Sequence, residues 1–252
     1  MFMRLLHLSI NGEYEKIFSQ FYNTIVLPQL QKMEGCKMAG LIKSNSDKGK
    51  FISLTLWDEE KQAERYEKSK VYENLTEQVS QFLSESSEWK VQLSDDYKLE
   101  YKPVPEAPFK GNYAVAVKTS STKSSPEQPS GMYVRIVSVK IQSGMVDEFR
   151  DIYSKEIIPA LGETKGCTFA YLTENMQEEN EFLSISVWED KSFADEYEAN
   201  GRFEELTSKV KHTFSKFYLW KMELEQESKG KVETSEDMKI DNYTMVTGKG
   251  FN

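Results

Sequence analysis

Two stretches of the chain alternate hydrophobic and polar side chains in nearly the same order, 131 positions apart. Residues 51–57 read FISLTLW, and residues 182–188 read FLSISVW. In each stretch, alternate residues form one aliphatic set and one set with aromatic ends and hydroxyl-bearing residues between them. A period of two residues is typical of a β-strand whose two faces have different surroundings. The pattern therefore predicts equivalent strands in two halves of a duplicated chain.

The same offset relates the segments on either side of these strands. Alternating positions predict strands, and hydrophobic positions spaced by three and four residues predict helices. In the first half, the predicted order is strand, helix, strand, strand, helix and strand, at residues 3–10, 13–32, 36–43, 51–57, 58–83 and 89–93. The second half repeats this order and ends with a strand at 220–224. Both halves thus follow the βαββαβ plan of a ferredoxin-like fold, in the α+β class.

The chain divides into two units, a linker and an arm. The predicted segments are a first ferredoxin-like unit at 1–96, a linker at 97–131, a second unit at 132–226 and a C-terminal arm at 227–252. The linker is rich in Pro, Ser and Lys, as flexible connections are. Within it, residues 112–118 (NYAVAVK) have the pattern of a short strand, and a similar segment begins at Asn242. Each arm strand can extend the edge of its own sheet or of the other unit's sheet, and the sequence favours neither.

The two faces of each predicted sheet need different partners. The aliphatic face suits packing against the helices of its own unit, and we assign to it Leu6, Leu8, Ala39, Leu41, Ile52, Leu54 and Leu56. The second face cannot be exposed to water, because it holds Leu5, Met38, Ile42, Phe51 and Trp57. We therefore expect the two sheets to pack face to face within one polypeptide, as an eight-stranded, barrel-like sandwich.

Composition and charge narrow the classes of partner. A net charge of −9 argues against binding to a nucleic-acid backbone or an anionic membrane. No apolar run approaches the roughly 20 residues of a membrane helix, and the N-terminal MFMRLLHLSI lacks the features of a signal peptide. Cys36 and Cys167 lie at equivalent positions of the two units, and we interpret both as reduced, half-buried thiols. These features favour a cytoplasmic protein, a monomer with an internal pseudo-dimer, and leave higher oligomers open.

Short motifs recur around the predicted elements. They include Leu27-Pro28 late in the first helix, Gly35-Cys36 before the second strand, and Trp57 followed by acidic residues. With these motifs, the duplicated unit resembles the antibiotic biosynthesis monooxygenase family over both units, but not over the linker or the arm. The resemblance implies a dimeric α/β barrel, built here within one chain, and a small hydrophobic ligand site between sheet and helices. Some members of that family oxidise quinol-like or polyketide aromatic substrates without metal or flavin.

Other members of the family degrade haem, and they use an Asn on the first strand with a Trp and a His on the second helix. This chain departs from that pattern. Tyr66 and Tyr197 stand where the helix Trp is expected, Thr76 and Thr207 stand near the His position, and the first strand has no Asn. Haem degradation is therefore not expected.

Candidate catalytic residues are His7, Tyr66 and Tyr197. His7 is the only imidazole on a predicted strand, and it could remove a proton from a phenol or quinol near neutral pH. Its equivalent is Ser138, so at most one half can use it, and a buried histidine with satisfied hydrogen bonds is the alternative reading. The two tyrosines would supply hydroxyl groups to an apolar cleft, although amphipathic packing also explains them.

Six further side chains are candidates for substrate binding, and each recurs in both units. They are Trp57, Trp188, Tyr22, Tyr153, Arg4 and Arg135. Each has an alternative structural role: the tryptophans could plug the barrel end, the tyrosines could pack helices, and the arginines could form salt bridges at the rim. Two His and two scattered Cys give no metal-ligand spacing, and no cofactor motif is present in the sequence.

The sequence leaves two hypotheses for the function of this protein. The leading hypothesis is a cofactor-independent monooxygenase that acts on a small aromatic or quinol-like substrate. The alternative is a non-catalytic module of the same fold that binds a hydrophobic ligand, or a protein partner through its arms. The predicted barrel interiors differ between the halves, since Met38, Gly40, Ile42 and His7 stand against Phe169, Tyr171, Thr173 and Ser138. This difference favours a single working pocket.

Overall fold

The structure is a computed structural model that describes residues 1–93, 99–119, 131–215 and 238–251. Eight strands form a closed antiparallel barrel, and the helices of both units lie outside it. The first unit consists of β1 (Phe2–Ser9), α1 (Glu15–Phe21), a π-helical turn (Tyr22–Val26), α2 (Leu27–Gln31), β2 (Cys36–Ser44), β3 (Lys50–Trp57), α3 (Glu60–Glu67) and α4 (Lys70–Ser80).

The remaining elements belong to the connection between the units and to the second unit. They consist of β4 (Glu85–Leu93), β5 (Leu99–Pro105), β6 (Phe109–Lys118), β7 (Tyr133–Lys140), α5 (Val146–Ile152), a second π-helical turn (Tyr153–Ile157), α6 (Ile158–Glu163), β8 (Cys167–Asn175), β9 (Glu181–Trp188), α7 (Lys191–Ala199), α8 (Arg202–Val210), a 3₁₀ turn (Lys211–Thr213) and β10 (Met238–Gly250). The α+β class and the duplicated ferredoxin-like plan are confirmed. Within the described residues, no helix combines the length and apolar character needed to cross a bilayer.

The arm strands join the two units. The barrel order is β1-β3-β2-β10-β7-β9-β8-β6, so each arm strand lies between the two units. β6 pairs with β1 of the first unit and with β8 of the second, and β10 pairs with β7 and β2. The sequence left open whether each arm strand extends the sheet of its own unit or of the other. In the structure, each arm strand pairs with both sheets. Since every strand of the barrel has two neighbours, the arms close it.

This arrangement corrects the prediction for the last strand of the first unit. Residues 89–93 do belong to a strand, β4, but it pairs with β5 in a separate two-stranded sheet. The place next to β1 is taken by β6 instead. The predicted copy at 220–224 lies outside the described residues. A short apolar strand pattern cannot show which of two nearby strands completes a sheet, because that depends on non-local pairing.

Strand register corrects the predicted faces of β3 and β9. Leu5 lies opposite Leu54, and Leu6 lies opposite Ser53. Since directly opposite residues share a face, the aliphatic set of β3 points into the barrel while Phe51 and Trp57 pack under the helices. The predicted faces of β1 and β2 are confirmed, because the residues assigned to the helices and to the interior lie in those two cores. Those residues are Leu6, Leu8, Ala39 and Leu41 on the helix side, and Leu5, Met38 and Ile42 inside.

Three hydrophobic cores result from this layering. One fills the barrel and includes residues of both units, such as Met3 and Ile185. The other two lie between the outer sheet faces and the helices, one in each unit, around Phe18 and Phe149. The barrel interior thus holds the two units together, while each sheet–helix layer belongs to one unit.

The two cysteines lie in these sheet–helix layers and are fully buried, more so than expected from sequence. They are not joined by a disulfide, and each Sγ donates a hydrogen bond to the carbonyl two residues along the chain, at 3.7 Å. Burial raises the pKa of the Cys36 thiol to about 12. A thiol with so high a pKa is a poor nucleophile at neutral pH.

Candidate ligand cavities between sheet and helices

Each unit contains a cavity between the outer face of its sheet and its helices. The volume is about 80 Å³ in the first unit and about 50 Å³ in the second, and both cavities are partly open to solvent. Fourteen of the fifteen lining positions of the first cavity recur 131 residues later in the second. The polar lining residues common to both are Arg4, Tyr22, Ser53, Thr55, Tyr66 and Thr76 in the first cavity, and Arg135, Tyr153, Ser184, Ser186, Tyr197 and Thr207 in the second. The first cavity also has Tyr72, where the second has Phe203.

A tyrosine from the helix meets a serine from the sheet at the floor of each cavity. Tyr22 Oη lies 2.7 Å from Ser53 Oγ and donates to the Gly40 carbonyl at 3.2 Å. In the second unit, Tyr153 Oη donates to Ser184 Oγ. Burial raises the pKa of both phenols, to about 12 for Tyr153. Both therefore remain neutral hydrogen-bonding groups at physiological pH.

The position of these tyrosines follows from the local helix geometry. Tyr22 and Tyr153 each begin a π-helical turn, where the backbone N–H of Leu27 or Ile158 bonds to a carbonyl five residues earlier. Pro28 and Pro159 follow directly and have no N–H for a regular helical bond. A widened turn before each proline keeps the helix continuous and directs the tyrosine to the sheet. Such turns are frequent at functional sites.

The two tryptophans that the sequence suggested for substrate binding do not line the cavities, but they pack on tyrosines that do. Trp57 packs on Tyr66 with ring centroids 5.5 Å apart, and Trp188 packs on Tyr197 at 5.0 Å. The tyrosines line the cavities, whereas the tryptophans do not. Each indole N–H donates at 2.9 Å to the hydroxyl two residues earlier, on Thr55 or Ser186. The predicted role of the tryptophans as plugs between the halves is wrong, because each belongs to the helix-side core of its own unit.

The arginines are buried in the cavity walls rather than exposed at a rim. Arg4 is 6% exposed and Arg135 is 4% exposed. Each forms an ion pair with the last turn of a cover helix, Arg4 with Glu67 at 3.2 Å and Arg135 with Glu198 at 2.7 Å. Each arginine thus ties the first strand of its unit to α3 or α7 and leaves a positive charge in the cavity wall.

Sequence reasoning missed an asparagine in each half. Arg4 Nε donates to Asn112 Oδ1 at 3.0 Å, and Arg135 Nε donates to Asn242 Oδ1 at 3.4 Å. Both asparagines lie on the arm strands β6 and β10, whose shared Asn-Tyr start was a visible signal. Only the pairing of these arms with β1 and β7 brings them to the arginines.

His7 lies away from both cavities. It stands on the inward face of β1, opposite Ile52, and its ring centroid is 5.7 Å from that of Phe109. Arg4, with the other parity along the same strand, faces the helices. Burial lowers the pKa of His7, and the charge of Asp241 partly offsets this. The structure therefore does not bring His7 together with Tyr66 or Tyr22.

The cavity walls can bind and orient a ligand, but they hold no group that would accept a proton at neutral pH. Among the described residues, neither lining contains Asp, Glu, His or Cys. Burial raises the pKa of Tyr66 and Tyr197, so these phenols do not ionise near pH 7. No group of three or more His, Cys, Asp or Glu residues in the described part of the chain could hold a metal ion. The chemistry available is hydrogen bonding, positive charge and exclusion of water.

Comparisons with known proteins agree with this fold. The sequence model of the antibiotic biosynthesis monooxygenase family matches residues 132–207. A "putative monooxygenase" from Fusobacterium nucleatum subsp. nucleatum superposes with a TM-score of 0.68, at 9% identity, over 99% of this chain and 94% of its own. A second, from Lactobacillus acidophilus, gives a TM-score of 0.65 at 9% identity, over 99% of this chain and 95% of its own.

An anthrone oxidase-like protein superposes with a TM-score of 0.57 at 11% identity, over 99% of this chain and 92% of its own. A comparison with curated protein sequences gave no match. The structural matches extend over both units and the arms, so they concern the whole barrel. Residues 132–207 thus match the antibiotic biosynthesis monooxygenase family by sequence, and the whole chain shares the fold of these solved structures.

Proposed function

We propose that this protein is a cofactor-independent monooxygenase that binds a small, electron-rich aromatic molecule, such as a quinol, between sheet and helices. The observation that carries the proposal is the repetition of the cavity lining at fourteen positions, including six polar ones. Hydrophobic packing alone does not need buried hydroxyls and a buried arginine, because polar groups are costly to bury. A site for a ligand with an apolar ring and polar substituents does need them.

The reaction class that suits such a site takes all its electrons from the substrate. In an activated aromatic ketone, a CH₂ carbon becomes a carbonyl: two C–H bonds break, one oxygen atom of dioxygen enters the carbonyl, and the other leaves as water. The anthrone oxidase-like neighbour supports this class through its name and shared fold. The apolar walls would exclude water, and the Tyr–Ser pairs would orient the substrate oxygen.

The volume of the cavities limits the size of the ligand that can bind. The larger cavity, at about 80 Å³, has about half the volume of a ~150 Å³ apolar cavity that admits benzene. A single ring therefore has to extend into the open mouth or shift the cover helices outward. The separate α3 and α4 of the first unit, which meet at Ser69, are the elements that would move.

Oxygen consumption with a panel of quinols and aromatic ketones tests the proposal. We expect uptake of one dioxygen per substrate, unchanged by a metal chelator. The double variant Tyr22→Phe/Tyr153→Phe should lower kcat/KM while retaining the fold. His7→Ala, outside both cavities, is the matched control and should retain most activity. Absence of turnover with every substrate, together with no binding of any aromatic ring, would contradict the proposal.

A second candidate is a non-catalytic module that binds a hydrophobic ligand in the same cavities. It is favoured by the lack of a general base among the described lining residues. Crystals soaked with aromatic ligands would then show a ring in a cavity, while no oxygen is consumed. Partner binding by strand addition to the arms is not supported, because β6 and β10 are paired on both edges.

A further inference from the structure

The buried arginines of the two cavities differ in how completely their hydrogen bonds are satisfied. Arg4 uses all three of its nitrogens: Nε bonds to Asn112, Nη2 pairs with Glu67, and Nη1 donates to the Ala63 carbonyl at 3.1 Å. Its guanidinium packs over the ring of Phe2, which does not line the cavity. Arg4 is therefore fully engaged in holding β1, β6 and α3 together.

Arg135 leaves one nitrogen without an acceptor. Its Nε and Nη2 bond to Asn242 and Glu198, as in the first half. Its Nη1 is buried and has no hydrogen-bond partner among the residues that the structure describes. The guanidinium packs over the ring of Phe203 at 5.5 Å, and Phe203 lines the second cavity. A buried charged donor without an acceptor is unfavourable, so an oxygen arriving from a ligand would relieve this cost.

One protein hydroxyl stands near this guanidinium. Tyr133 occupies the position of Phe2 in the first half, and the charge of Arg135 partly offsets the burial that raises the Tyr133 pKa. A hydrogen bond between its hydroxyl and the Arg135 side chain also lowers that pKa, although Nη1 itself has no hydrogen-bond partner among the described residues. The Tyr133 hydroxyl is therefore the protein group that could take the place of a ligand oxygen at Arg135. An experiment has to distinguish the effect of this hydroxyl from the effect of a ligand.

We propose that Arg135 Nη1 receives the phenolate oxygen of a hydroxyaromatic ligand in the second cavity, and that the first cavity lacks this contact because the Ala63 carbonyl already occupies Arg4 Nη1. This inference rests on the proposed function. A charged donor stabilises a phenolate more than a phenol. Arg135 would thus lower the pKa of the bound ligand, and the proton would leave through the open mouth to solvent. No protein base is needed for this ionisation.

A nitrophenol titration tests the inference, because only the phenolate form of 4-nitrophenol absorbs visible light. On the native chain, we expect the bound probe to ionise at lower pH than in water. Arg135→Met should reduce the preference for phenolate over phenol by about 10- to 100-fold, the range for a charged hydrogen bond. Arg4→Met is the matched change in the first half and should leave this preference intact. Tyr133→Phe should leave it intact as well.

The occupied cavity can be identified by ¹⁹F NMR of chains labelled with 5-fluorotryptophan. Trp57→Phe and Trp188→Phe assign the two relevant resonances. We expect the probe to shift the Trp188 resonance, and its methyl ether, 4-nitroanisole, to bind more weakly there on the native chain. This ligand comparison stands even if Arg135→Met fails to fold.

Two results would overturn the inference in different ways. Equal binding of the phenol and the ether in the second cavity, or loss of the phenolate preference in Tyr133→Phe, would refute the role of Arg135 and leave ring binding intact. No shift of either tryptophan resonance with any aromatic probe would refute the proposed function itself.

Discussion

In the second unit, two pairs of polar side chains join the helices that cover the cavity, whereas the equivalent positions of the first unit are apolar or amide side chains. Lys209 pairs with Glu156 at 2.6 Å, and His212 pairs with Glu148 at 2.8 Å. The first unit has Ile25 and Ile17 in place of the two glutamates, with exposed fractions of 40% and 53%, and glutamines in place of Lys209 and His212.

The comparison separates what the two copies share from what each has changed. The cavity linings agree at nearly every position, yet the outer surfaces of the helices above them do not. Surface substitutions away from special features usually change stability little, so outer surfaces can diverge while the layer beneath is retained. One difference that matters for binding is that Arg4 Nη1 donates to a carbonyl, whereas Arg135 Nη1 has no acceptor in the described part of the chain.

The largest expected effect tests whether the two units are energetically independent. Trp57 and Trp188 are fully buried in their own helix-side cores. Trp57→Ala and Trp188→Ala should each lower the free energy of unfolding by about 3–5 kcal/mol. Because the arms interleave the two sheets, denaturant unfolding should remain a single transition in both variants. Two separate transitions, each moved by one substitution only, would show that the units fold independently.

The next largest expected effect is a dependence of the free energy of unfolding on pH. Burial raises the pKa of Tyr153 to about 12, against about 10 in an unfolded chain. The unfolded state therefore releases its proton first, and the free energy of unfolding falls as pH rises from about 10 to 12. The slope is about 1.4 kcal/mol per pH unit for this phenol, or about 2–3 kcal/mol in total. Below pH 10 this phenol contributes no pH dependence.

Urea unfolding at a series of alkaline pH values measures this loss. Tyr153→Phe should reduce the alkaline slope, and Tyr22→Phe should reduce it similarly in the first unit, since burial raises that pKa as well. Tyr14 is exposed and makes a suitable control, because Tyr14→Phe removes a phenol that is not buried. An unchanged slope in Tyr153→Phe would mean that its phenol ionises normally.

A smaller effect concerns the glycines that end the first helical segment of each unit. Gly35 and Gly166 both have φ of +78°, a conformation that costs other residues about 1–2 kcal/mol. An added Cβ would also meet the Gln62 side chain at Gly35 and the Phe193 ring at Gly166. Because a glutamine side chain moves more easily than an aromatic ring, Gly166→Ala should lower the melting temperature more than Gly35→Ala. The reverse order would contradict the packing.

The smallest effect concerns the two side-chain pairs above the second cavity, Lys209–Glu156 and His212–Glu148. All four side chains are half-exposed, so each pair should contribute about 0–1 kcal/mol. Glu156→Gln should lower the free energy of unfolding by no more than that, and the loss should shrink in high salt. The matched substitution in the first unit, Ile25→Gln, removes no charge and should show no salt dependence. If Glu156→Gln lowered the free energy of unfolding by several kcal/mol, the pair would instead contribute strongly to stability, which would contradict this prediction.

Much of the fold could be predicted from local patterns. The two-residue alternation located β1, β2 and β3, the spacing of hydrophobic residues located the helices, and the 131-residue offset showed that the pattern occurs twice. Of the candidate site residues, Arg4, Tyr22 and Tyr66 line one cavity, as do their copies in the other, and their role in ligand binding stays a prediction. Periodicity suffices for this because the side chains of a strand or helix have fixed directions relative to one another.

The sequence by itself determined which residues share a face, and only the tertiary structure decided which face is which. Alternation separates Leu54 from Trp57 but does not orient them, and the register with β1 placed the first in the barrel and the second under the helices. Pairing between residues more than 100 positions apart brought Asn112 to Arg4. Such contacts arise from closure of the barrel, and a local pattern carries no information about partners that distant in the chain.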